Sequence, residues 1–242
     1  MNVAIVGIGL IGGSIGLEIK KNGFCSHIIG VDTNLKHQKK ALELGVVDSI
    51  QSLEEAIKAS SLVILSTPVN VTSKIISSVL DLIDDQVIMD VGSTKSKLIY
   101  QISNHPKRKN FVATHPIAGT EFSGPEAAKI GLFKNKVTII CDQIDSSKFA
   151  LNTVFKLYDS IGAKTIFMSS KDHDIHSAYV SHISHISSFS LALSVMDKEK
   201  DEKNILNMAG SGFESTVRLA KSNKEMWTPI FSENKNNILE VL

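Results

Sequence analysis

Short apolar runs rich in valine and isoleucine recur through the first two thirds of the chain: Val3–Val6, Ile28–Val31, Leu62–Leu65, Val87–Val91, Phe111–Ala113, Val137–Ile140 and Thr165–Phe167. Each has the length of a buried strand. Between the early runs lie Ser14–Asn22, Leu35–Leu44 and Ser73–Leu82, whose apolar positions repeat with helical spacing. Strand and helix therefore alternate as in an α/β protein with a doubly wound parallel sheet, an architecture that binds ligands at the carboxyl ends of its strands. After Phe167 the texture changes, and helical patterns are predicted over Asp172–Met196, Glu202–Lys221 and Glu225 to the end. A boundary near Met168 thus divides an α/β domain, residues 1–168, from a smaller all-helical domain, residues 169–242.

In the first of these helices Ser169 or Ser170 is placed to cap the N-terminus, and Asp172 and Asp174 suit its first turn. Ile175, Tyr179, Ile183, Ile186, Phe189 and Leu193 then form an apolar face. The mixed-sign run Asp197–Lys203 reads as a solvated connection.

Composition narrows the class. Lys+Arg of 26 against Asp+Glu of 25 leaves a net charge of +1, so no charge imbalance favours nucleic acid or an anionic membrane. With 43% hydrophobic and 21% charged residues the chain is expected to fold as an ordinary soluble protein. The two cysteines, Cys25 and Cys141, lie outside any metal-ligand spacing and make no disulfide framework, which fits a reducing cytoplasm. No basic segment precedes the opening run Val3–Val6, so a secretory leader is not expected. The most apolar helical candidate, Ile183–Met196, is shorter than a bilayer span.

Gly7-Ile8-Gly9-Leu10-Ile11-Gly12 is a G-x-G-x-x-G motif that follows a predicted strand and opens a helical pattern, the context a dinucleotide fingerprint requires. Gly7 allows the tight turn, Gly9 the approach of a pyrophosphate, and Gly12 the packing of helix on strand. Asp32 lies 20 residues beyond Gly12, where a carboxylate accepts from ribose hydroxyls. No arginine follows it, and its charge would repel a 2′-phosphate, so NAD is favoured over NADP.

Polar sets end the next three strands: Ser66-Thr67-Pro68, Gly92-Ser93-Thr94-Lys95, and Thr114-His115-Pro116-Ile117-Ala118-Gly119-Thr120-Glu121. All three reach one rim, the first of them beside the glycine turn and counted with Leu10 and Ile11 among the cofactor contacts. His115 is the best acid/base candidate there, because its ordinary pKa lies near neutrality; read from residues alone, a histidine that fixes the His-Pro turn is the lesser alternative. His173, His176, His182 and His185 form a further cluster. His182 and His185 share a helical face, but no HExxH motif or carboxylate pair accompanies them, so they are read as cleft groups, with satisfied interdomain histidines as the alternative and metal ligands disfavoured. Arg218, between Val217 and Leu219, is placed to grip a carboxylate or to form a structural ion pair. Trp227 reads as core.

Together these residues resemble the prephenate dehydrogenase family of tyrosine biosynthesis over essentially the whole chain. The resemblance is carried by Gly7-x-Gly9-Leu10-Ile11-Gly12-Gly13-Ser14, Asp90-x-Gly92-Ser93-x-Lys95, His115-Pro116-Ile117-Ala118-Gly119-Thr120-Glu121, Ser181-His182-x-x-His185, and Arg218-Leu219-Ala220 followed by Met226-Trp227. It implies a Rossmann-type domain, a helical domain that dimerises, and an active site between them. By the same resemblance His115 takes the ring-hydroxyl proton, Ser93 orients His115 and that hydroxyl, Arg218 binds the side-chain carboxylate, and His185, His182, Thr120 and Glu121 shape the pocket. The implied reaction is NAD-dependent oxidative decarboxylation of prephenate; arogenate dehydrogenation is the alternative, and an inert NAD-binding module a third reading. A β-hydroxyacid dehydrogenase is disfavoured, since its glycine-rich helix with an embedded lysine is not matched around Gly210–Lys221. Ser215 stands where the family often has an acidic residue, so an ion-pair gate with Glu121 is not expected. Family members usually continue with further helices after a segment like Glu233–Asn237, so helices beyond Leu242 are expected to be missing here. A helical segment as short as residues 169–242 buries too little surface alone and should pack on the first domain and on a second copy of itself.

Overall fold

The structure is a computed structural model, and it describes residues 1–202 and 204–242. The mixed-sign run Asp197–Lys203 is described as far as Glu202, and Lys203 lies outside the described residues. In chain order the first half runs β1 (Asn2–Val6), α1 (Leu10–Lys21), β2 (His27–Val31), α2 (Leu35–Glu43), β3 (Ser49–Ile50), α3 (Leu53–Lys58), β4 (Leu62–Leu65), α4 (Val69–Leu82), β5 (Val87–Asp90) and α5 (Ser96–Ile102). It continues with β6 (Phe111–Pro116), β7 (Val137–Cys141), α6 (Lys148–Ser160) and β8 (Lys164–Met168).

These strands form one eight-stranded sheet in the order β3-β2-β1-β4-β5-β6-β7-β8. Neighbours are parallel except β6 and β7, which pair antiparallel with Ala113 opposite Cys141. The alternating pattern misses β3, whose two residues make no apolar run. It also misses α3, although Ser52 and Glu55 form a capping box there. Two buried clusters cover the sheet. Ile15 and Ile19 of α1 and Val154 and Leu157 of α6 pack on one face, while Ile57 of α3, Ile76 and Val79 of α4 and Leu98 and Ile102 of α5 pack on the other. With both faces covered, β1, β4 and β5 are apolar runs without alternation. The order reverses between β1 and β4, which opens a crevice at their carboxyl ends.

The remainder is helical: α7 (Ser170–Ser177), a π-helical turn over Ala178–His182, α8 (Ile183–Asp201), α9 (Ser211–Thr216), α10 (Lys224–Glu233) and α11 (Lys235–Val241). The continuous helix expected over Glu202–Lys221 is replaced by short turns around α9. Asn204 adopts φ +82 and Gly210 is extended, and neither continues a helix. The expected apolar face of the first long helix is only partly covered: Ile183, Ile186 and Phe189 are half-buried, whereas Tyr179 and Leu193 are 58% and 64% exposed. Val69 of α4, with Trp227 and Ile230 of α10, makes a small separate cluster that docks the helical part on the sheet's helices. No described helix is long and apolar enough to cross a membrane.

Candidate active site

The crevice is built first by glycine. Gly7 has φ +92, and a Cβ there would lie 2.7 Å from the Ser66 carbonyl oxygen, so only glycine fits. At Gly12 a Cβ would collide with the Gly7 carbonyl and the Ser66 hydroxyl. At Gly9 nothing lies within 4 Å, so the space above the turn is open. Gly9 also caps α1 without a side chain, which leaves the first N–H groups of that helix to a ligand. The Ser66 hydroxyl donates to the Gly7 and Val6 carbonyls at 2.7 and 3.0 Å, so it locks the turn from below. Thr67 hydrogen-bonds Thr72 at 2.8 Å, Pro68 precedes α4, and Leu10 and Ile11 are half-buried in the first turn of α1.

At the end of β2, Asp32 accepts from the Ile8 N–H at 3.0 Å and the Asn34 N–H at 2.8 Å. One carboxylate thus braces the glycine turn and keeps lone pairs for further donors. The loop after β6 returns over this region, where the Lys129 N–H donates to the Ser14 hydroxyl at 3.0 Å and the Gly131 N–H to Glu18.

A second group of side chains lies at the ends of β5 and β6. Asp90 is buried, pairs with the fully buried Lys95 ammonium, and accepts from the Gly92 N–H at 2.9 Å and the Thr114 N–H at 3.3 Å. The Thr114 hydroxyl donates to the Asp90 carbonyl at 2.5 Å, so the Tyr158 hydroxyl donates to Thr114 at 2.6 Å. The carboxylate of Asp174, on α7, accepts from the Lys95 and Ser96 N–H groups, both at 2.8 Å. It therefore caps α5 from a distant part of the chain. Asp174 also accepts from His173 Nδ1 at 2.8 Å, and His173 Nε2 lies 2.8 Å from His115 Nδ1. Burial raises the Asp174 pKa, but the hydrogen bonds from His173, Ser96 and Lys95 outweigh it, and the carboxyl sits below its ordinary value. Burial, then the charges of His173, Lys95 and His182, hold His115 well below the ordinary histidine value. His115 is neutral at pH 7.

Asp90 and Lys95 belong to the Asp90-x-Gly92-Ser93-x-Lys95 motif. No motif joins His173 to His115, although His173 belongs to the histidine cluster of the sequence. Ser93 is half-buried and makes no hydrogen bond among the described residues, while Thr120 and Glu121 lie on a largely exposed loop where Thr120 accepts from the Phe122 N–H at 3.3 Å. His182, 1% exposed, is hydrogen-bonded by Asn234 Nδ2 at 2.9 Å, and that amide also donates to the Asp174 carbonyl at 2.7 Å. Burial lowers His182 to about 4, against a raising contribution from Asp174. His185 stacks on Trp227 with ring centroids 3.5 Å apart, and its Nδ1 donates to the Ser181 carbonyl at 3.0 Å. Burial lowers its pKa, and the nearby Arg218 charge lowers it further. Arg218 itself is exposed, on a 3-10 turn beside α8. His176 is exposed, and no group of three or more His, Cys, Asp or Glu among the described residues is arranged to hold a metal ion.

Comparison with known proteins matches two family models. One, described as the prephenate dehydrogenase nucleotide-binding domain, covers residues 15–167. The other, the prephenate dehydrogenase dimerization domain, covers residues 169–242. A prephenate dehydrogenase of Bacillus subtilis is 35% identical over 242 residues, 98% of this chain and 65% of that protein. A cyclohexadienyl dehydrogenase of Zymomonas mobilis is 28% identical and covers 100% of this chain and 83% of that protein. The crystal structure of Aquifex aeolicus prephenate dehydrogenase with hydroxyphenyl propionate and NAD+ superimposes with a TM-score of 0.92 at 34% identity, over 100% of this chain and 85% of that one. The chain spans about two thirds of the Bacillus protein's length.

Proposed function

The chain belongs to the prephenate dehydrogenase family, and from that premise we propose that it catalyses the NAD-dependent oxidative decarboxylation of prephenate to 4-hydroxyphenylpyruvate. The observation that carries this reading is His115: neutral, at the carboxyl end of β6, with Nδ1 held by His173 and Nε2 without a protein partner among the described residues.

The glycine turn fits a dinucleotide, since the open space at Gly9, the uncapped start of α1 and the Asp32 carboxylate match a pyrophosphate followed by a ribose. When bound there, NAD supplies the hydride acceptor. His115 Nε2 takes the proton of the ring hydroxyl as the hydrogen on the same carbon leaves. Loss of the ring carboxylate as CO₂ sends its bonding pair through the ring to that oxygen, which takes the proton back from His115, and aromatisation drives the step. Ser93, with no partner of its own, is free to hold the hydroxyl; its expected hold on His115 is not needed, because His173 already occupies Nδ1. Arg218 binds the side-chain carboxylate, and His185, pinned by Trp227, faces the same substrate end. Thr120 and Glu121 border the cleft from the loop, and His182 supports its floor.

We divide the chain into an NAD-binding domain, residues 1–168, and a helical substrate and dimerisation domain, residues 169–242. The exposed Tyr179, Leu193 and Met196 of the long helix favour a homodimer, with each copy covering the other. The net charge of +1 and the free thiols Cys25 and Cys141 fit a cytoplasmic enzyme without nucleic-acid or membrane partners.

The test is NAD reduction followed by absorbance with prephenate and with arogenate, repeated with NADP. Turnover with prephenate and NAD is expected. Turnover with arogenate alone would move the assignment to the amino analogue, and none with either would leave a nucleotide-binding module.

A further inference from the structure

Three side chains from two distant parts of the sequence form one buried line, Asp174 to His173 to His115. An ionised carboxylate only accepts, so His173 Nδ1 carries a hydrogen and gives it to Asp174. In a neutral His173 the other nitrogen, Nε2, is then bare and accepts. The 2.8 Å contact makes His115 Nδ1 the donor, and the second nitrogen of His115 is left as a lone pair. We infer that His173, anchored by Asp174, is a positioning residue that fixes His115 in its Nδ1–H form, so that Nε2 meets the substrate as a base and not as a donor.

This inference rests on the proposed function only for the role of His115, and the tautomer itself is independent of substrate. A free neutral histidine side chain favours a hydrogen on Nε2, the form in which Nε2 could not accept the substrate proton. The arrangement is rigid, because His173 is 0% and Asp174 4% exposed and Asp174 is held by two α5 amides. Burial first, and positive charge second, disfavour a proton on the second nitrogen of His115. Lys95 from the β5–α5 connection and His182 from the π-helical turn both face His115, and Asp174 is the acidic group facing His173. A positive His173 would point a second N–H at His115 Nδ1, forcing the Nε2–H form and abolishing the base.

The experiment is two-bond ¹H–¹⁵N spectroscopy of the full chain labelled with ¹⁵N-histidine at pH 7.5, alone and with NAD, with the His115 signals assigned by their loss in His115→Asn. The expected result is a protonated Nδ1 and a bare Nε2. An Nε2–H form in the wild type overturns the inference. In His173→Leu the tautomer should shift toward Nε2–H, with kcat for prephenate down about 10²-fold or more while KM stays within about threefold. His173→Gln, whose amide oxygen can accept in place of the imidazole, should keep the Nδ1–H form and most of kcat. An unchanged tautomer in a folded His173→Leu protein also overturns it, and if that variant fails to fold, the wild-type and His173→Gln spectra decide. If wild-type protein fails to turn over prephenate, the functional reading falls while the spectra still answer for His173.

Discussion

Glu233, in the last turn of α10, accepts from the Thr94 hydroxyl at 2.8 Å, so the helical part of the chain holds the residue that follows Ser93. Its other oxygen receives the Ser73 hydroxyl of α4 at 3.3 Å. One carboxylate thus fixes α10 against both the α4 surface and the rim beyond β5.

Replacing Glu233 by Gln turns one acceptor into a donor and leaves a hydroxyl unpaired. Stability should fall by about 1–2 kcal/mol, and kcat/KM for prephenate should fall with little change in NAD affinity, because the glycine turn is elsewhere. Thermal melts, steady-state kinetics and NAD titration check both parts; an equal loss of NAD binding would show that the contact acts on the whole sheet.

Gly9→Ala and Gly12→Ala should fail differently. The Gly9 site is open, so alanine there should leave the melting temperature unchanged and weaken NAD binding by tenfold or more, about 1.4 kcal/mol. Alanine at Gly12 meets the Gly7 carbonyl and should lower both stability and NAD affinity. Calorimetric titration and differential scanning calorimetry separate the two.

His182 predicts acid sensitivity. Its folded pKa, about 4, lies below the unfolded value, so the neutral form is favoured by folding. Above the unfolded value near 6.5 there is no penalty; as pH falls through 6.5 toward 4 the unfolded chain takes up a proton that the folded one refuses. Over that window the loss is on the order of 3 kcal/mol. Urea melts from pH 7 to 4 should show it, and His182→Gln should flatten the profile.

Trp227 is the only tryptophan, and its ring lies on His185. Its fluorescence should therefore change when 4-hydroxyphenylpyruvate binds. In Arg218→Gln the titration should shift to at least tenfold higher ligand, with KM for prephenate rising in parallel. An unchanged midpoint would remove Arg218 from carboxylate binding.

Much of the sheet was legible because its causes are local. The runs Val3–Val6 and Leu62–Leu65 are apolar on both faces, and the glycines of Gly7–Gly12 answer to steric needs that spacing reveals. Asp174 shows where local reading ends. In sequence it suits the first turn of its own helix, yet its carboxylate caps α5 at Lys95 and Ser96. That choice follows from how α7 packs on the β5–α5 connection, which no periodicity encodes. His173 went unassigned to His115 for the same reason, since a buried line of donors and acceptors depends on tertiary distance. α6 has a Ser147 cap but lies beyond the early stretch in which strand and helix alternate in short order.

The π-helical turn at Ala178–His182 sets a phase. His173 and His182 are nine positions apart, which at about 3.6 residues per turn would put them on opposite sides of a regular helix. The wider turn reduces that rotation, so both rings are buried, one on His115 and the other on Asn234. The helix therefore carries a surplus residue in its wide turn: eight steps of a regular helix, at about 100° each, reach nearly the same phase as these nine, so deleting one residue from 179–181 should restore a regular winding and leave His182 and His185 facing as they do. The wide turn thus lets one helix bring His173 to His115 and His182 to Asn234 with one residue more than a regular winding would use.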